Sequence, residues 1–211
     1  MTPPGDLEFA HRFEPGVSAA APTLLLLHGT GGDENDLIPL GRQVLPGAAL
    51  LSPRGRVLEN GMPRFFRRFA EGVFDLEDLK RQTIALGDFI RASVGKYGIE
   101  GRRMIAMGYS NGANIAASLL LSNPRLLAGA VLFRAMVPFV PEPAPDLRDI
   151  PILLAGGRRD PVVDPSQTTA LAAILESAGA RVEIHWHPGG HELGDDDLKA
   201  AALWLGLWPS E

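Results

Sequence analysis

The sequence contains no cysteine among its 211 residues. This absence excludes disulfide bonds, thiolate metal sites and a cysteine nucleophile. The longest apolar runs, such as 24–27, are far shorter than the roughly 20 residues that a membrane-spanning helix needs. The amino terminus, residues 1–5, has neither the basic nor the apolar region of a secretory signal. We therefore expect a cytoplasmic protein without a membrane span.

Long basic runs are missing as well. Twenty Lys and Arg residues stand against twenty-five Asp and Glu residues, which gives a net charge of −5. A negative chain without a basic patch is not expected to bind nucleic acid. The hydrophobic fraction of 45% is enough for a sizeable core. We expect residues 1–211 to form a single domain.

Short apolar runs alternate with amphipathic segments along the chain. The predicted strands are 7–13, 23–27, 48–51, 103–107, 129–133, 152–155 and 181–187. The predicted helices are 76–94, 111–122, 166–178 and one that begins at 195. This alternation predicts an α/β fold with a mostly parallel central sheet and helices on both faces. Segments 54–72 and 134–149 carry neither pattern, and we interpret them as binding loops.

The motif Gly108-Tyr109-Ser110-Asn111-Gly112 joins an apolar strand to an alanine-rich helix. It fits the Gly-x-Ser-x-Gly nucleophile elbow, which is specific only in this strand–turn–helix context. The tight turn brings the residues two before and two after the serine together, so both must be glycine. The turn also lifts the serine hydroxyl towards the N–H groups of the following helix. Ser110 is therefore the predicted nucleophile.

A serine hydroxyl needs a histidine base, and the histidine needs a carboxylate to orient it. Asp160 follows the predicted strand 152–155, and His191 follows the last predicted strand in a glycine-rich loop. Both would lie at the strand ends where open α/β sheets bind ligands. Asp164 is the alternative acid, although its position before Pro165 also suits the start of a helix. We favour Asp160 and His191.

The other histidines have a more ordinary interpretation. We interpret His11 as a half-buried residue of the first strand. We interpret His28, at the end of the predicted strand 23–27, as a structural residue. His185 and His187 alternate along one strand face and could form a metal pair, but no third ligand is evident. We favour structural roles for both and predict no metal site. A metal-dependent hydrolase remains an alternative.

The segment 28–32 is glycine-rich and follows the first central strand. Its backbone can approach a substrate closely, so the N–H groups of Thr30 and Asn111 are the predicted oxyanion hole. The segment has some likeness to a phosphate-binding loop, but no Lys-Ser/Thr follows, which disfavours nucleotide binding.

Four segments together resemble the small carboxylesterase/phospholipase family, which is related to acyl-protein thioesterases and more distantly to dienelactone hydrolases. They are 27–33, 108–112, 157–161 and 189–191. The resemblance covers about residues 24–208. It implies an α/β-hydrolase fold, a triad of Ser110, Asp160 and His191, an oxyanion hole from Thr30 and Asn111, no cofactor and a homodimer.

The predicted substrate is a small carboxylic ester or thioester. Aromatic and basic residues stand together in segment 54–72: Phe65, Phe66, Arg67 and Arg68. They could form a pocket with an apolar wall and a cationic mouth, which would favour short anionic esters. A solvated basic loop is an equally good interpretation. The alternatives are a lysophospholipase or acyl-protein thioesterase acting on longer chains, an acyltransferase and a non-catalytic binding protein.

Overall fold

A computed structural model describes residues 8–208. The described strands are β1 (His11–Glu14), β2 (Thr23–Leu27), β3 (Ala49–Pro53), β4 (Val57–Glu59), β5 (Met62–Arg64), β6 (Arg68–Ala70), β7 (Val73–Phe74), β8 (Met104–Tyr109), β9 (Gly129–Phe133), β10 (Pro151–Gly157) and β11 (Arg181–His187). The described α-helices are α1 (Ile38–Val44), α2 (Leu76–Tyr97), α3 (Asn111–Ser122), α4 (Pro165–Ser177) and α5 (Asp195–Gly206).

Seven strands form the central sheet, in the order β1-β3-β2-β8-β9-β10-β11. β1 pairs with β3 in the antiparallel sense, and all the other neighbours are parallel. Parallel strands bring their carboxyl ends to one edge, so the loops after β2, β8, β9, β10 and β11 meet there. This edge carries the predicted site residues.

The central strands are apolar throughout because helices cover both faces of the sheet. In β2, Leu25 and Leu27 pack into the core on one face, while Leu24 and Leu26 pack into the core on the other. This alternation follows from the two-residue period of a strand. The mostly parallel α/β fold expected from the sequence is therefore confirmed.

Helices α2 and α3 fit the sequence pattern well. In α2, the Asp75 carboxylate accepts the N–H of Asp78 at 3.0 Å, and Gly98, whose φ is +65°, caps the carboxyl end. α3 is buried along almost its whole length, from Asn111 to Leu121. No helix among residues 8–208 is both long and apolar enough to cross a membrane.

Some local predictions were wrong. Segment 54–72 is not an open loop, because it contains the antiparallel hairpin β4–β5 and strand β6, which pairs with β7. Helix α1 was not predicted. The first strand begins at His11, later than the pattern suggested, and Leu7 and residues 1–5 lie outside the described residues. Segment 134–149 has no helix or strand, as expected.

Candidate active site

Ser110 lies at the turn between β8 and α3. Its φ of +52° falls in the left-handed region, which costs a non-glycine residue about 1–3 kcal/mol and is tolerated where the surroundings impose it. A β-carbon at Gly108 would lie 2.7 Å from the carbonyl oxygen of Gly112. A β-carbon at Gly112 would overlap the carbonyl oxygen of Leu27. Both glycines are therefore required sterically, as the motif predicts.

His191 bridges Ser110 and Asp160. Its Nε2 lies 3.0 Å from Ser110 Oγ, and its Nδ1 lies 2.8 Å from Asp160 Oδ2. The Asp160 side chain is buried, and its Oδ1 accepts the N–H groups of Val162 and Val163 at 2.8 and 3.0 Å. A carboxylate oxygen accepts hydrogen bonds, so Nδ1 carries the proton of the bond to Asp160. Nε2 is then free to accept a hydrogen bond from the serine hydroxyl. The structure thus brings the three predicted triad residues together.

The competing acid lies elsewhere. Asp164 caps α4, with its Oδ1 accepting the N–H of Ser166 at 2.8 Å, and it is exposed. The hydrogen bonds from Ser166 hold the pKa of the Asp164 carboxyl below its ordinary value of 3.8. Its contacts are those of a helix cap.

His28 is buried beneath the glycine-rich segment 28–32. Its Nδ1 lies 2.6 Å from the carbonyl oxygen of Gly29, and its Nε2 accepts the N–H of Gly55 at 2.9 Å. Burial lowers the pKa of the His28 imidazole below 6.5, so the neutral form is favoured. A neutral ring with its proton on Nδ1 satisfies both contacts, and it ties the segment to the residues after β3.

The predicted oxyanion donors are the backbone N–H groups of Thr30, after β2, and Asn111, after β8. Among the backbone hydrogen bonds described for residues 8–208, the N–H groups of Thr30 and Asn111 do not act as donors. Gly31 donates to the carbonyl oxygen of Pro63 at 2.9 Å, which fixes the segment against β5. Asn111 opens α3, where helix N–H groups are unpaired. Both groups are therefore available to a substrate oxygen.

Arg64 is a site neighbour that the sequence analysis did not select. Its side chain is 3% exposed, and its Nη1 lies 2.5 Å from Thr30 Oγ1. Its Nε donates to the carbonyl oxygen of Phe66 at 3.1 Å, and Glu59 lies 3.2 Å from its Nη1. The β4–β5 hairpin is thus joined to the oxyanion segment through a buried guanidinium. No period or motif singles out Arg64 in a run of three arginines and two phenylalanines.

The predicted substrate-binding residues occupy two different environments. Phe65 and Phe66 are 1% and 0% exposed, so they are core residues and not an open pocket wall. Arg67 pairs with Asp75 at 2.8 Å, and Arg68 pairs with Glu59 at 3.0 Å.

Both arginines therefore already have anionic partners. The hydrogen bond from Arg68 holds the pKa of Glu59 below 4.5. The pKa of Asp75 is lowered below 3.8 by the N–H of Asp78 and also by Arg67. Arg67 still has 57% of its side chain exposed.

Carboxylates surround the alternating histidines of β11. His187 Nδ1 lies 2.8 Å from the carboxylate of Asp196, and His185 Nε2 lies 3.6 Å from it. Asp197 comes within 3.8 Å of each histidine. However, both oxygens of Asp197 are already engaged by Arg134. Asp196 is the third potential ligand that the sequence did not reveal, but a cation here would have to share Asp197 with a buried guanidinium.

The family assignment agrees with this geometry. The model of the phospholipase/carboxylesterase family matches residues 11–208. A Bacillus cereus carboxylesterase of known crystal structure is 44% identical, covers 94% of both chains and superposes with a TM-score of 0.92. A carboxylesterase from Mesorhizobium loti is 34% identical over 96% of this chain and 97% of that one, with a TM-score of 0.90.

The structure of YahD with malic acid is also similar. It is 32% identical over 94% of this chain and 98% of that one, with a TM-score of 0.89. A family model that spans almost the whole described chain, together with these structural relatives, identifies the family. The chain belongs to the phospholipase/carboxylesterase family of hydrolases, within the α/β-hydrolase fold.

Proposed function

We propose that this hydrolase cleaves small carboxylic esters through a triad of Ser110, His191 and Asp160 and a covalent acyl-enzyme. The observation that carries the proposal is the bridging position of His191, within 3.0 Å of Ser110 Oγ and 2.8 Å of Asp160 Oδ2. A nucleophile, its base and the acid that orients the base are the components of serine acyl transfer.

Each step follows from these contacts. Ser110 Oγ attacks the ester carbonyl carbon while His191 Nε2 takes the hydroxyl proton. The negative oxygen that forms is stabilised by the N–H groups of Thr30 and Asn111. His191 then gives its proton to the departing alkoxide, which leaves as an alcohol. In the second half of the reaction, His191 takes a proton from water, and the water oxygen attacks the acyl carbon. The serine oxygen leaves with the proton from His191, which releases the acid and restores the serine.

The proposed preference for a short anionic ester rests mainly on Arg67. Arg67 is more than half exposed, and only its Nε and Nη2 bond to Asp75, so a short anionic acyl group could approach its remaining edge. The malic acid with YahD is a small carboxylate of this kind. Against this, Met62 and Phe69 expose apolar surface on the hairpins, which favours a longer neutral chain. We propose the short anionic ester and keep the longer acyl ester or thioester as the alternative.

The first experiment asks whether Ser110 is the nucleophile. We expect a fluorophosphonate to label the protein once, at Ser110, and Ser110→Ala to lose labelling and p-nitrophenyl butyrate hydrolysis on the order of 10³-fold or more. Ser122→Ala, at the exposed far end of α3, is the control. Labelling that survives in Ser110→Ala would refute the assignment, and hydrolysis lost on chelation would favour a metal site at His185 and His187.

The second experiment compares esters. Mono-p-nitrophenyl succinate and p-nitrophenyl butyrate have acyl groups of similar length but different charge. We expect Arg67→Ala to raise KM for the succinate and leave KM for the butyrate unchanged. Equal effects on both, or faster cleavage of p-nitrophenyl decanoate, would support the longer-chain alternative.

The single-domain organisation, homodimer and cytoplasmic location stay predictions from the sequence.

A further inference from the structure

Arg134 is the largest fully buried side chain among the described residues. It follows β9 directly, with a φ of +56°, and its backbone N–H donates to the carbonyl oxygen of Ala155 at 2.8 Å. A charged group with no exposure is costly unless it is fully hydrogen-bonded, so its partners define why the fold tolerates it there.

The guanidinium makes five hydrogen bonds, as many as it has N–H groups. Nε donates to the carbonyl oxygen of Gly190 at 3.0 Å, and Nη2 donates to that of Glu192 at 2.8 Å. Nη1 donates to Ala155 at 3.1 Å. The remaining two bonds form a fork on the buried Asp197 carboxylate, at 3.0 and 2.7 Å. Two of the five partners therefore lie immediately before and after His191.

The rest of this loop is held in the same way. Tyr109, the neighbour of Ser110, donates its hydroxyl to the carbonyl oxygen of His191 at 3.1 Å. Burial raises the pKa of Tyr109 above 10.0, so the phenol keeps the proton that it donates. Arg159 donates its N–H to the carbonyl oxygen of Gly189 at 3.0 Å. Four consecutive carbonyls, from residue 189 to residue 192, are thus fixed by residues at the ends of β8, β9 and β10.

From this arrangement we infer that Arg134 is a positioning residue for His191. The inference rests on the proposed function, in which His191 is the base. Arg134 fixes the backbone on both sides of His191 and so keeps Nε2 within hydrogen-bond distance of Ser110 Oγ. Asp197 compensates the buried charge and orients the guanidinium fork. The role matters for chemistry because a displacement of about 1 Å at a reacting group can cost roughly 10²-fold in rate.

The test compares two substitutions that weaken the same ion pair differently. Arg134→Lys keeps the positive charge but has three donors in place of five. It therefore cannot bind the carbonyl oxygens of Gly190, Glu192 and Ala155 and the Asp197 carboxylate at the same time. Asp197→Asn leaves the guanidinium in place with its carbonyl partners. Arg103→Lys is the control, because Arg103 is also largely buried and paired, with Glu100, at the opposite edge of the sheet.

The measurements are kcat and KM for p-nitrophenyl butyrate, the fluorophosphonate labelling rate and the melting temperature, with kcat expressed per labelled site. We expect Arg134→Lys to lower kcat and the labelling rate at least tenfold, with KM within about twofold. Asp197→Asn should lower the melting temperature as much as Arg134→Lys does, but its loss of kcat should be several-fold smaller. Arg103→Lys should keep kcat. Should Arg134→Lys fail to fold, Arg134→Met combined with Asp197→Leu removes both charges and should show the same kcat loss.

Two results would overturn the inference. One is an unchanged kcat per labelled site in Arg134→Lys or in the double variant. The other is an equal kcat loss in Asp197→Asn and Arg134→Lys, which would indicate a purely structural ion pair. Failure of the proposed function gives a different result, because the wild-type protein would then show no labelling at Ser110.

Discussion

The side chain of Asn111 accepts a hydrogen bond from the backbone N–H of Phe65, with 2.7 Å between Oδ1 and N. The bond joins the first residue of α3 to the chain after β5. The residue that offers its own N–H to the proposed oxyanion is therefore also the one that fixes the chain directly after the β4–β5 hairpin. Side chain and backbone of Asn111 can be tested separately.

We predict that Asn111→Asp lowers kcat tenfold or more. The substitution keeps the shape and the acceptor for Phe65 but places a negative charge beside the developing oxyanion. A factor of ten corresponds to about 1.4 kcal/mol of transition-state free energy. Steady-state kinetics with p-nitrophenyl butyrate measures it. Asn123→Asp, at the other end of α3, is the control; an active Asn111→Asp variant would place the oxyanion elsewhere.

The two acidic candidates should separate cleanly. Asp160→Asn is expected to lower kcat on the order of 10⁴-fold, because an amide cannot hold the histidine tautomer that accepts the serine proton. Asp164→Ala is expected to keep kcat and lose about 1 kcal/mol of unfolding free energy, the usual cost of a lost helix cap. Kinetics and urea unfolding on both variants check this. A reversed pattern would make Asp164 the acid.

Thr30→Val should destabilise the fold. Val has the shape of Thr without the hydroxyl, so Nη1 of the buried Arg64 loses its acceptor at 2.5 Å and keeps only Glu59, leaving one of its two N–H groups without a partner. A buried donor left without a partner costs about 1–3 kcal/mol of unfolding free energy. Thr30→Ser keeps the hydroxyl and is expected to retain most of the stability. If urea unfolding places both variants level with the wild type, the Arg64 contact contributes nothing to stability.

His28 should make stability depend on pH. Because burial lowers its folded-state pKa below 6.5, the unfolded chain binds a proton that the folded chain does not. The contribution of neutral His28 to the free energy of unfolding is therefore complete above about pH 6.5. As the pH falls below that value, the free energy of unfolding decreases by at most about 1.4 kcal/mol per pH unit. Urea unfolding between pH 7.5 and 5.5 measures the slope. His28→Gln should flatten it, whereas an unchanged slope in that variant would assign it to other groups.

The elbow and the order of the site residues could be predicted because both show in the residue types. Gly108 is required by a backbone contact within the turn, with the carbonyl oxygen of Gly112, whereas Gly112 is required by the close approach of Leu27 in β2. Apolar strands mark where the site loops begin. Their positions just after predicted strands selected Asp160 and His191 as partners of Ser110, and the family resemblance implies the same triad. The carboxyl-end edge of a parallel sheet brings such residues close in space even when they are far apart in the chain.

The hairpins and Arg134 could not be predicted for the opposite reason. β4 to β7 are two or three residues long, too short for any period to emerge. Arg134 stands at the start of a proline-rich segment and reads as a solvent-exposed residue. Three of its hydrogen-bond partners are backbone carbonyls, which leave no trace in the residue types. Its charged partner Asp197 is 63 positions away.

The strand order has a consequence for how the protein is made. From β2 outwards, the strands β8, β9, β10 and β11 follow one another in the sheet as they do in the chain. A ribosome that releases the chain from its amino end can thus add each strand to the growing edge in turn. Ser110 follows β8, the second of these strands to be made, whereas the loop with His191 follows β11, the last. If the triad acts as proposed, hydrolysis begins only after synthesis has passed His191, and a product truncated before the last strand is inactive.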